Sequence, residues 1–152
     1  MANAEIYTKW RDQQGGNRGS GWSGPHGSAS ASGAEGIVEL NQHAERLAWK
    51  AAWPNAIRTF IRTSIKQFPN QPLQIKIWVD QQVCPSCQKW MVIDVISHLK
   101  LLKQEFPTLK VELYAEVLFA RKTEKVRVQQ STVWPVTVGN QSTYQNLPEI
   151  YN

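Results

Sequence analysis

A chain of 152 residues, 41% of them hydrophobic, has the length of one domain and enough apolar material for a core. No apolar run reaches the roughly 18 residues of a membrane span, and the opening Met1-Ala2-Asn3-Ala4-Glu5 lacks the basic-then-apolar order of a secretory signal. Seventeen Lys and Arg against twelve Asp and Glu leave a net charge of +5, which suits a polyanionic partner or an ordinary basic surface; two cysteines cannot staple a fold and point to a reducing compartment.

Residues 1–36 read as a short strand around Ile6, Tyr7 and Trp10, then a flexible Gly/Ser-rich loop from Gly15 to Gly36. The Ser28-Ala29-Ser30-Ala31-Ser32 run has little to pack, and Trp22 is the loop's one residue able to grip a partner. Residues 37–152 make the working domain. Ile37–Leu40 reads as a short strand, and Asn41 as the N-cap of a helix with His43 and Glu45 in its first turn. Ala44, Leu47, Ala48 and Ala51 are its buried stripe. Pro54 breaks, kinks or restarts that helix. The next run buries Ile57, Phe60, Ile61, Ser64 and Ile65; Arg58, Arg62 and Lys66 line another face, as a solvated row or a nucleic-acid contact.

After the turn Pro69-Asn70-Gln71-Pro72, residues Leu73 to Val79 alternate as a buried strand. Cys84 then sits where an N-cap belongs and Pro85 at the first helical position. That helix should reach about Gln104 and bury Trp90, Met91, Ile93, Val95 or Ile96, and Leu99. Lys110 to Val117 alternates again, with Val111, Leu113, Ala115 and Val117 on one side. Arg121-Lys122-Thr123-Glu124 reads as a turn, followed by strands at Val126–Val128 and Thr132–Val138 and a polar tail docked by Tyr144, Leu147, Ile150 and Tyr151. Connections this short imply antiparallel pairing of the final strands, because a parallel crossover needs a dozen or more residues. The expected class is an α/β sandwich with one mixed β-sheet. The two motif helices begin where their ends can meet beside it.

Chemistry concentrates in His43-Ala44-Glu45 and, roughly forty residues on, Cys84-Pro85-Ser86-Cys87. One imidazole and two thiolates are three good ligands for Zn²⁺ and leave a fourth position for water. Glu45 is close enough to serve that water without binding the metal. Both sulfurs lie at a helix start, which favours the thiolate. Among the other candidates, His26 falls in the loop, His98 mid-helix and Asp80 at a strand end. Trp22, Trp78 and Trp134 are stacking candidates for an unpaired base or else core residues.

The combination H-x-E…C-x-x-C resembles the deaminase superfamily, in particular the toxin domains of bacterial polymorphic toxins, over residues Ile37 to Val138. These include interbacterial effectors that deaminate cytosine in DNA. The resemblance implies a cytidine-deaminase-like three-layer sandwich with helices on both faces, zinc on His43, Cys84 and Cys87, and Glu45 as the catalytic proton shuttle. Also implied are delivery by a specialised secretion system, action in the recipient cytoplasm, and neutralisation by a cognate immunity protein. The family often places Pro immediately before its first cysteine; here Val83 precedes Cys84 and Pro85 follows it. The expected substrate is cytosine in single-stranded DNA, which spares the cost of flipping a base from a duplex. RNA or adenine as substrate remains an alternative. The expected state is a monomer with no membrane partner.

Two readings compete. Cys84-Pro85-Ser86-Cys87 between a strand and a helix also resembles a glutaredoxin- or thioredoxin-like thiol–disulfide oxidoreductase, with Trp134-Pro135-Val136-Thr137 like the proline-led strand facing its redox motif. That fold needs a helix between its second and third strands, for which there is no room. A non-catalytic nucleic-acid-binding module with structural zinc would want four protein ligands, and three good ones are found.

Overall fold

The computed structural model describes residues 2–11, 27–31, 43–138 and 141–146. The expectations for Trp22, His26, the Ile37–Leu40 strand, the Asn41 cap and Leu147, Ile150 and Tyr151 lie outside these residues. Among the described residues no helix is long and apolar enough to cross a membrane.

Five strands form one mixed sheet in the order β2-β1-β3-β4-β5. They are β1 (Ala2–Trp10), β2 (Gly27–Ala31), β3 (Leu73–Val79), β4 (Val111–Phe119) and β5 (Lys122–Arg127). β1 runs antiparallel to both β2 and β3, β3 and β4 are parallel, and β4 and β5 are antiparallel. The parallel pair is joined through the cysteine-bearing helix, the long crossover that such a pair requires. The Ser-Ala run, expected as a flexible loop with little to pack, is largely in β2: Ala31 to Gly27 oppose Ala2 to Ile6. Small residues suit such an edge because the pairing is made by backbone groups.

The register puts Ile6 opposite Ile77, Ile77 beside Ala115, and Ala115 opposite Val126. This row and its neighbours Ala4, Leu73, Ile75, Val79, Leu113 and Val117 belong to the buried core. The alternate residues form a polar face, with Lys76 paired to Glu116 at 3.2 Å and Arg11 to Glu112 at 2.6 Å. All described helices contribute to the core on the first face. Among the described residues the helices expected on the second face are absent, although Tyr7 on that face is buried. Gln74, Lys76, Glu112 and Glu116 alternate with the apolar residues and give the second face its polar character.

α1 (Ala44–Ala52) runs through a π-helical turn, Trp53–Ile57, into α2 (Arg58–Ser64). Pro54 supplies no N–H to the backbone ladder, and the wider turn lets the helix continue past it. The buried line of α1 is Ala44, Ala48 and Ala52, flanked by Glu45 and Trp49. Ala51, expected inside, is exposed and Leu47 is half-buried. α3 (Pro85–Trp90) similarly passes through a π turn, Met91–Val95, into α4 (Ile96–Glu105). Four-residue steps drift around a helix of 3.6 residues per turn, and one wider turn offsets the drift. Cys87, Met91, Val95 and Leu99 thereby all reach the core, while Ile93, expected inside, is 51% exposed.

The turn between β4 and β5 is Ala120-Arg121, with φ of 50° and 68°. Lys122–Glu124, expected in the turn, is instead strand. The left-handed conformation at both positions matches the tight hairpin that joins twisted antiparallel strands. β6 (Val133–Val138) and β7 (Gln141–Asn146) form a separate antiparallel ribbon. Part of the sequence expected to be a polar tail is thus β7. Trp134 and Val136 seat the ribbon in the core. Tyr144 donates to Glu124 at 2.7 Å and its ring leans on Phe119 at 5.1 Å.

Candidate metal centre

His43 is the N-cap of α1 and Cys84 the N-cap of α3, both with extended backbone. His43 is therefore one residue before the first turn in which the sequence placed it. Its carbonyl accepts from the N–H groups of Arg46 and Leu47, both at 3.1 Å. Pro85 occupies the first helical position, where its missing N–H costs nothing. The Gln88 N–H bonds the Cys84 carbonyl at 3.0 Å, and its side chain donates to the Val83 carbonyl at 3.0 Å. These bonds fix both cysteines relative to the end of β3.

His43 Nδ1 lies 3.6 Å from Cys84 Sγ and 3.3 Å from Cys87 Sγ. The three ligand atoms all fall within 4.8 Å of one another, so they can hold a metal ion. Zinc at about 2.3 Å from sulfur and about 2.0–2.1 Å from nitrogen puts tetrahedral N and S ligands about 3.5 Å apart. The donor set fits that ion. His43 Nε2 is buried without a hydrogen-bond partner among the described residues. With Nδ1 facing the sulfurs, Nε2 is the atom that carries the ring proton when Nδ1 is a ligand.

Glu45 Oε1 is 3.4 Å from Cys87 Sγ and 3.8 Å from His43 Nδ1. Its carboxylate is buried beside the three donors, and that burial chiefly raises its pKa above the ordinary value. The adjacent Cys87 thiol, with His43 beside it, outweighs burial and holds Cys84 at about 5. Cys87 moves the other way: its partner Cys84, then burial, then Glu45 push it above its usual range. A dication supplies the charge that lets both sulfurs ionise together.

The sequence reading singled out neither Arg46 nor Trp90. Arg46 Nε donates to Cys87 Sγ at 3.5 Å and its Nη2 to the Ser86 carbonyl at 3.3 Å. Its guanidinium lies 5.3 Å from the centroid of the Trp90 ring. The available signal was positional: Arg46 follows Glu45, and Trp90 lies one turn after Cys87.

Other candidates sit elsewhere. Trp49 Nε1 donates to His98 Nδ1 at 2.8 Å, and Trp53 stacks on the His98 ring at 4.2 Å, tying α1 to α4. Asp80 receives the Asn3 backbone N–H and side-chain amide, both at 2.8 Å, and so fastens the start of β1 to the end of β3. Arg58 Nε donates to Glu105 at 2.8 Å and Arg62 lies 3.6 Å from the same carboxylate, so two of the basic row brace α2 against α4. Trp134 is fully buried and not open to stacking on a base. Trp78 lies on the polar face of the sheet, opposite the helices that hold the centre. Comparison of the chain with protein-family models, with curated proteins and with solved structures returns no match.

Proposed function

We propose that the chain is a zinc-dependent hydrolase that deaminates cytosine to uracil in nucleic acid, with single-stranded DNA the favoured substrate. The observation that carries this reading is the meeting of His43 Nδ1 with both cysteine sulfurs beside the buried carboxylate of Glu45. When bound by His43, Cys84 and Cys87, zinc supplies water with a pKa near 7 and hence hydroxide at neutral pH. Glu45 does the proton work. Its carboxylate accepts one proton of the attacking water and delivers it to the ring nitrogen beside the amino-bearing carbon; it then takes the second proton from the hydroxyl now on that carbon and passes it to the amine, which leaves as ammonia as the carbonyl forms. Cytosine and water are consumed, and uracil and ammonia are formed. His43, Glu45 and Cys87 are buried while Cys84 is half-buried, so the approach to the centre is on the Cys84 side.

A cytidine-deaminase-like fold belongs to the same proposal, supported by a mixed sheet with a parallel pair and by both motifs lying at helix starts. So does the role of a bacterial toxin domain delivered into a recipient cell, acting in its cytoplasm and restrained by an immunity protein. Its support is the motif resemblance. The +5 charge supports a nucleic-acid substrate.

One observation favours the thiol–disulfide reading: Cys84, held at about 5, is in the range of a reactive thiolate. That reading leaves His43 and Glu45 without a task. The test incubates the protein with single-stranded DNA, duplex DNA and RNA and sequences the products. C-to-U change in single-stranded DNA is expected, with a loss of about a hundredfold or more in Glu45→Gln. Glu45→Gln should keep zinc and fold. A metal-free protein that deaminates nothing yet cycles Cys84 and Cys87 at a measurable potential would establish the redox reading instead.

A further inference from the structure

A surface pocket of about 260 Å³ adjoins the metal centre, lined by Arg46, Ser86, Lys89, Trp90, Ile93 and Asp94. Arg46 is held in place by its bonds to Cys87 Sγ and the Ser86 carbonyl and by the Trp90 ring. A guanidinium has five N–H donors. These contacts occupy two, which leaves a fixed cation with donors to spare at the pocket wall. Lys89 adds a second cation at the exposed rim. The lining also includes the half-buried Trp90 and the exposed Ile93, an aromatic and an aliphatic surface suited to the face of a base. Over Ile93 the surface dips again into a second pocket of about 350 Å³ that includes Lys100 and Gln129.

We propose that the Arg46–Trp90 pocket binds the nucleotide flanking the target base of a single strand, its phosphate on Arg46 and Lys89 and its base against Trp90 and Ile93. The inference rests on the deaminase reading and adds to it a position for the substrate. Glu45 does not line this pocket, whereas the next residue does. A base held here therefore lies beside the reacting base and not in its place. Asp94, also in the lining, disfavours a phosphate beside it. The second pocket continues the track along α4, with Lys100 placed for a further phosphate. Two cations, one indole and a small concavity match a nucleotide better than a protein partner, whose stable interface needs about 1,000 Å² or more.

The test is fluorescence anisotropy of a labelled single-stranded DNA oligonucleotide, and its RNA counterpart, with the zinc-loaded full chain. Trp90→Ala and Lys89→Glu should each weaken binding about tenfold or more. Trp90→Phe should bind within about threefold of the parent, since a smaller ring still stacks. Lys110→Glu, an exposed site at the other end of β3 and β4, measures the effect of net charge alone. Lys89→Glu binding no more weakly than Lys110→Glu, with Trp90→Ala unchanged, would overturn the subsite. Such a result with C-to-U activity intact overturns the subsite alone. Binding lost as expected in a protein that deaminates nothing overturns the deaminase reading, and with it the flanking role, and leaves the pocket as a single-strand binding site.

Discussion

Ala48→Leu tests whether the seat of α1 on the sheet sets the metal site. Ala44, Ala48 and Ala52 are each 0% exposed and four residues apart, and α1 contacts β1, β2 and β3. Three extra carbons at position 48 have no solvent-facing path. Overpacking of this kind costs about 1–3 kcal/mol. At about 2–4 °C per kcal/mol for a domain of this size, the melting temperature should fall by about 2–12 °C. The helix can relieve the clash only by moving off the sheet, and His43 and Glu45 ride on its first residues. The present N–S separations of 3.3 and 3.6 Å bracket the tetrahedral value; a displacement of about 1 Å would leave that range. Zinc affinity, measured by competition with a chromophoric chelator, should fall at least about tenfold. Ala51→Leu, at an exposed site on the same helix, should change neither quantity. Unchanged melting and zinc affinity in Ala48→Leu would refute the claim that this alanine line positions the site.

His98 should make stability pH-dependent. Burial lowers its pKa, against an opposing pull from Asp94, so the unfolded chain binds its proton at a higher pH than the folded one. Stability is therefore complete above the unfolded value of about 6.5 and declines as pH falls through that value toward the lowered folded one. Protonation of Nδ1 also removes the acceptor for Trp49, so indole emission should change over the same window; His98→Phe should abolish both effects. At the β4–β5 turn, Ala120→Asn with Arg121→Gly should stabilise by about 1 kcal/mol, because Asn and Gly accept the left-handed conformation that Ala and Arg adopt at a cost. Urea denaturation would read this as a higher midpoint, and a lower one would show that the turn contributes through its side chains.

The strands with strict alternation, Leu73–Val79 and Val111–Val117, were legible because a period of two survives any packing arrangement on one face. The expectation of helices on both sides followed the family resemblance rather than this pattern. The helix interiors were harder. Periodicity at 3.6 put Ala51 and Ile93 inside, and local geometry overrode it. Trp49 displaced Ala51 from the core side of α1, and the π turn at Met91–Val95 rotated Ile93 outward. β2 and β7 were illegible because Ser-Ala and polar segments carry no apolar signal, and their pairing is chiefly a matter of backbone groups. The ligand trio was legible from donor chemistry and spacing, and its members meet. Arg46 was not, because an arginine after a functional glutamate looks like any solvated residue until the partner sulfur is placed.

Zinc-edge X-ray absorption on the protein purified with one equivalent of zinc addresses the centre most directly. The account predicts two sulfur neighbours at about 2.3 Å and one imidazole nitrogen at about 2.0–2.1 Å, with a light atom completing four ligands. The imidazole should vanish from the spectrum in His43→Ala, and a sulfur should be lost in Cys84→Ala. A first shell without sulfur, or one unaltered by His43→Ala, would contradict the account.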